Sequence, residues 1–172
     1  MHEMTPLNAF LSLQHENHVA TNCIDGIFTN MCHAVTSSSP WLSLQLPPQS
    51  GAPATVEQVL IYNRFDCDTE CRERLSPFQL WVGRTMGDYG TATSTQCGTP
   101  GASANLTVPV WKENQPGFPG GSMIPDRGPF SFNCNGASGY YLTLVLPGAE
   151  RTLHIAEVRV FSPLVSPSPP PP

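Results

Sequence analysis

Between residues 41 and 161 the apolar side chains recur at every second position, not at the three-and-four spacing of a helix. WLSLQL (residues 41–46) puts Leu42, Leu44 and Leu46 on one face, VEQVLIYNR (56–64) is β-branched and aromatic, and FQLWVG (78–83) sets Phe78, Leu80 and Val82 against Gln79 and Trp81. FSFNC (130–134), YYLTLVL (140–146) and LHIAEVRVF (153–161) are further strand candidates. Proline and glycine punctuate them in LPPQSGAP, in the run over 116–121 and in LPG at 146–148. The pattern predicts an all-β chain, an antiparallel β-sandwich or jelly roll whose long loops gather at the two ends and carry the function.

A chain of 172 residues suits one domain with a full core. The domain is expected over 1–162. PLVSPSPPPP (163–172) has no apolar face to bury and reads as an extended polyproline II spacer of a larger, multi-module extracellular protein. Charged residues make up 12% against an average of about 25%, the net charge is -5, and Lys112 is the one lysine. Nothing here marks a nucleic-acid or anionic-membrane partner, and no window approaches the length of a membrane span. The opening MHEMTPLNAFLSLQ lacks the basic and apolar stretches of a secretory leader, which places any leader upstream. Six cysteines without zinc-ribbon spacing favour disulfides and a secreted protein, with the connectivity open.

About a third of the charge falls in RFDCDTECRER (64–74), which holds Arg64, Asp66, Asp68, Glu70, Arg72, Glu73 and Arg74, with Cys67 and Cys71 among them. Guanidinium groups present several donors in a fixed fork and keep their proton, which suits them to adjacent acceptor oxygens. Interleaved acids cancel the charge, so a neutral polyol matches better than a phosphate. A solvated salt-bridge loop of little energetic value is the alternative reading of the same residues.

ATNCIDG (20–26), CHAVTSSSPW (32–41), IYNRFDCDTECRERL (61–75), QCGTPG (96–101), FNCNGASGYYLTLVLPG (132–148) and AEVRVF (156–161), in that order, resemble an F-type lectin domain, the fucolectin module. That family is a jelly roll of the galactose-binding-like, discoidin-related superfamily. The resemblance implies that His33, Arg64 and Arg74 donate to the ring oxygen and hydroxyls of L-fucose, a related deoxy-hexose or a galactose-like sugar, while Asp66 orients the arginines. Where the family commonly has two adjacent cysteines packed on the sugar, Asp68, Thr69 and Glu70 separate Cys67 from Cys71.

The resemblance also implies the bridges Cys23–Cys32, Cys67–Cys71 and Cys97–Cys134. It further implies a structural calcium ion held by Asn22, Asp25 and Glu157, with main-chain carbonyls at Ile27, Asn30 and Ala156; such an all-oxygen set suits a hard cation.

Other constellations carry less. QHENH (14–18) lacks the helical spacing of a metalloprotease site, although the resemblance implies that His15 can line the pocket. His154 falls in a strand, at a packing or surface position. Trp41 and Trp81 sit in strand patterns, leaving Trp111 as the loop tryptophan available to stack on a sugar. Asn105 begins a glycosylation sequon. No nucleophile–base pair or catalytic carboxylate pair stands out, so the expectation is a non-catalytic, extracellular, calcium-stabilised lectin domain. The competing readings are a matrix or adhesion module that binds a protein through a degenerate pocket, and a targeting module of a larger hydrolase.

Overall fold

The computed structural model describes residues 1–64, 66–98 and 128–164. Trp111, the Asn105 sequon, the Gly/Pro run over 116–121 and nearly all of the proline-rich tail lie outside the described residues. The strands are β1 (His2–Met4), β2 (Asn8–Leu11), β3 (Cys32–His33), β4 (Trp41–Gln45), β5 (Ala54–Asn63), β6 (Gln79–Gly83), β7 (Thr95–Gln96), β8 (Phe130–Gly139), β9 (Tyr141–Val145) and β10 (His154–Ser162). A 3₁₀ turn at Ala20–Cys23 and one short helix, α1 (Thr69–Glu73), complete the described elements.

Among the described residues the strands form two five-stranded antiparallel sheets. One runs β1-β10-β5-β8, with β3 also pairing β10; the other runs β2-β4-β9-β6-β7. Strict alternation explains the sandwich, because each strand turns one row of apolar side chains toward the facing sheet. Leu42, Leu44, Leu80, Val82, Leu142 and Leu144 from one sheet meet Val59, Ile61, Val158 and Val160 from the other in a single buried cluster. The six strands expected from the sequence are present, within a few residues at their ends; β8 runs five residues past FSFNC to Gly139. The four others, β1, β2, β3 and β7, are two to four residues long, too short for periodicity to register.

Strand β10 is irregular at its start in two ways. Its first residues pair on both sides at once, His154 with His33 and Ile155 with Cys32 of β3, and Ile155 with Asn63 of β5. A bulge then leaves Ala156 without a facing residue on β5, so that the ladder resumes at Glu157 opposite Tyr62.

All six cysteines are paired, as Cys23–Cys32, Cys67–Cys71 and Cys97–Cys134. The third joins the end of β7 to β8, stapling an edge of one sheet to an edge of the other. Replacing Cys97 and Cys134 together by alanine should lower unfolding free energy by about 2–4 kcal/mol, read from urea denaturation against wild type.

Candidate functional site

The start of β10 is the point at which separated segments of chain meet. His33 and His154 face one another across the β3–β10 ladder, and their rings make an edge contact at 5.6 Å between centroids. His15 stacks on His33 at 4.3 Å and His18 lies 5.9 Å from it. The main chain secures this cluster: His15 N donates to His33 O at 2.9 Å and His33 N to His18 O at 3.1 Å.

On the other flank β5 ends at Asn63, opposite Ile155, so the next residue, Arg64, emerges beside the imidazoles. The buried Asn63 amide fixes it. Its Oδ1 accepts from Arg64 N at 2.9 Å, and its Nδ2 donates to Arg72 O at 2.8 Å, tying Arg64 to α1. Asp66 clamps the Arg64 fork, with Nε donating to Oδ1 at 2.5 Å and Nη2 to Oδ2 at 3.4 Å. This pairing holds the Asp66 carboxyl below its usual pKa.

The charged segment after Asp66 is not the plain loop its composition suggests. Asp68 caps α1 by accepting from Cys71 N at 2.9 Å, and the Cys67–Cys71 bridge closes over the same turn. Arg72 is spent on structure, its Nη1 donating to Cys67 O at 2.6 Å. Arg74, the residue following α1, is exposed, and its guanidinium has no partner among the described residues. Arg64 and Arg74 both act on His33 and His154, which places all four groups in one electrostatic neighbourhood. His33, Arg64, Asp66 and Arg74 are thus brought together at one end of the sandwich. Trp41 and Trp81 are half-buried on the sheet instead.

Nothing in the local sequence marks the part His154 plays. It is fully buried, with Nε2 3.6 Å from Cys71 Sγ, so it forms the floor between β3 and the disulfide. The signal that reveals it is tertiary: the His33 ring and the Cys67–Cys71 bridge lie against a residue that alternation assigns to solvent.

Burial and the neighbouring cations lower both His33 and His154 from the ordinary 6.5 to about 4. A neutral imidazole can donate from one ring nitrogen and accept at the other, which complements a hydroxyl. Below pH 6.5 the unfolded chain takes up protons that these two folded sites refuse, so their contribution to stability is lost as pH falls from 6.5 toward 4. In an NMR titration from pH 8 to pH 5, His33 and His154 should keep neutral-imidazole shifts, and H154L should flatten the acid-side fall in urea-unfolding free energy.

A second group of oxygens lies farther along β10, past the bulge. Glu157 is 4% exposed and accepts from Gly26 N at 3.3 Å; burial, with Asp25 nearby, raises its pKa to about 7. Asp25 accepts from Ile27 N and from Asn30 Nδ2, each at 2.8 Å. Asn30 Oδ1 is buried without a partner, and Asn22 Nδ2 donates to Met31 O at 3.0 Å. A cavity of about 400 Å³ opens beside Asp25, Gly26 and Glu157, where Arg159 pairs with Glu3. Two carboxylates that repel each other and an orphaned amide oxygen are what a hard cation would satisfy, so the residues fit one.

No family model matches the chain. It is 28% identical over 147 residues to a pentraxin fusion protein of Xenopus laevis, covering 86% of this chain but only 28% of that protein's length. Among solved structures, it superposes on a fucolectin from the serum of striped bass, Morone saxatilis. The TM-score is 0.67 and the identity 21%, over 94% of this chain and 50% of the other. It also superposes on a fucose-binding module of Streptococcus pneumoniae, with a TM-score of 0.62 and 18% identity, over 94% of this chain and 98% of that one. The fold is that of this fucolectin and this fucose-binding module.

Proposed function

We propose that this chain is a carbohydrate-binding module that takes a neutral sugar, with L-fucose the leading candidate, at the His33–Arg64–Arg74 cluster. The observation that carries the reading is the convergence of one neutral imidazole and two guanidinium groups at the start of β10, with one fork held by Asp66. Arg64 and Arg74 donate to acceptor oxygens of adjacent hydroxyls or of the ring, and His33 pairs with a hydroxyl that both gives and receives a hydrogen bond. His15, stacked on His33, walls one side. Nothing in this assembly requires bond-breaking chemistry, and the module acts by binding alone. The likeness in fold to a fucolectin and to a bacterial fucose-binding module supports the same reading.

Glycan-array screening and calorimetry with L-fucose test it. Hydrogen bonds from charged donors contribute about 1.5–3 kcal/mol each, so R64A or R74A should weaken binding about 10- to 100-fold. The double variant should abolish it with the fold intact. A folded wild-type protein without glycan selectivity would overturn the assignment in favour of a protein-binding adhesion module.

The proposal includes a structural calcium ion held by Asn22, Asp25 and Glu157, with the carbonyls of Ile27, Asn30 and Ala156. The bulge at Ala156 and the orphaned Asn30 Oδ1 support it. Such an ion neutralises the two carboxylates and ties the loop after the 3₁₀ turn to β10. Millimolar calcium should raise the thermal midpoint by several degrees and EDTA should reverse the rise. E157Q, which removes buried charge, should erase the calcium response; a response that survives in E157Q would place the ion elsewhere. With every cysteine paired, an extracellular setting is the compartment proposed.

A further inference from the structure

We infer that Arg151 is the positioning residue of the sugar site, its guanidinium holding the main chain that presents Arg74. Arg151 lies in the turn between β9 and β10, three residues before His154. Its Nη2 donates to Arg74 O at 3.1 Å and to Pro77 O at 3.0 Å, and its Nη1 donates to Pro147 O at 2.9 Å. Its own main chain pairs in both directions with Ser37, Arg151 N to Ser37 O at 2.9 Å and Ser37 N to Arg151 O at 3.0 Å. Ser37 lies four residues beyond His33 on the same run of chain, which Ala34 N also ties to Leu153 O at 2.9 Å. Arg151 thus ties the Arg74-bearing segment, whose Leu75 and Phe78 are buried in the core, to the frame that carries His33 and His154.

The need for such a clamp comes from local structure. α1 is five residues long, and Arg74 is joined to it by the hydrogen bond from its N to Cys71 O at 3.3 Å. The chain then enters no sheet until Gln79. The Arg74 guanidinium has no partner among the described residues, so its position is set by where its main chain is held. Three carbonyls served by the two terminal nitrogens of one planar fork match a guanidinium; an ammonium lacks that geometry.

The affinity half of the test rests on the glycan-binding reading, and the proteolysis half does not. The bond trypsin cuts after Arg74 contains the carbonyl that Arg151 holds. Native-state trypsin cleavage, followed by mass spectrometry, should rise about tenfold at Arg74–Leu75 in R151M, as expected for losing one or two net hydrogen bonds. Cleavage at the exposed Arg84 should not change. An equal rise at both sites, or no rise at Arg74, would overturn the inference. For L-fucose measured by calorimetry, R151M should weaken binding about tenfold in the wild-type background and less than about twofold in R74A, because the two act through one contact. Equal losses in both backgrounds would show a general structural role instead. Should R151M fail to fold, R151K keeps the stem and charge without the fork, and the same outcomes apply to it. If the wild type binds no sugar, the glycan reading falls while the cleavage ratio still decides whether Arg151 places Arg74.

Discussion

The double pairing at the start of β10 is the constraint on which the rest of this molecule depends. His154 and Ile155 pair with β3 on one side while Ile155 faces Asn63 of β5 on the other, so that His33, Asn63 and His154 are locked in register within one sheet. A slip of one residue would send His154 into the core and Ile155 outward, which the burial of both faces forbids. One residue later the bulge at Ala156 turns the same strand toward Asp25, so nine residues of β10 serve two different clusters of polar groups.

Charge is nearly balanced at this end of the sandwich. Arg64 is paired with Asp66, Arg72 is bonded to Cys67 O, and the exposed Arg74 guanidinium stands in a segment whose three arginines and four acids leave no net positive charge, beside imidazoles that burial keeps neutral. Desolvation sets this state more than any single charge does, and it leaves the ring nitrogens available as both donors and acceptors. The short helix α1 is held by its Asp68 cap, by its disulfide and by the Asn63–Arg72 bond. The surface presented at this end of the sandwich therefore consists of Arg64, Arg74 and His33, with His154 buried beneath and Arg151 behind the Arg74 main chain.

Much of this architecture is legible in the residues alone. Leu42, Leu44, Leu80 and Val82 declare their strands because a half-buried sheet tolerates only alternation, and each is buried. His33, Arg64, Asp66 and Arg74 stand out through the resemblance of their motifs, far apart in the chain as they are. The features that stay hidden have no local pattern to give them away. Strands of two to four residues such as β3 exist because β10 offers them a free edge, and α1 exists because Asp68 can cap a turn already closed by a disulfide. Arg151 reads as an ordinary turn residue, since two of the carbonyls it holds belong to a segment some seventy residues away.

The sequence by itself determined the sandwich, its apolar rows and the inventory of donors, because periodicity and side-chain chemistry are properties of neighbouring residues. Only the tertiary structure decided which donors are free. Arg72 and Arg74 are two positions apart and chemically identical, yet one is bonded to its own loop and the other faces outward. The protonation of His33 and His154 was likewise settled by burial and by cations brought from distant segments, and those are set by packing, not by spacing along the chain.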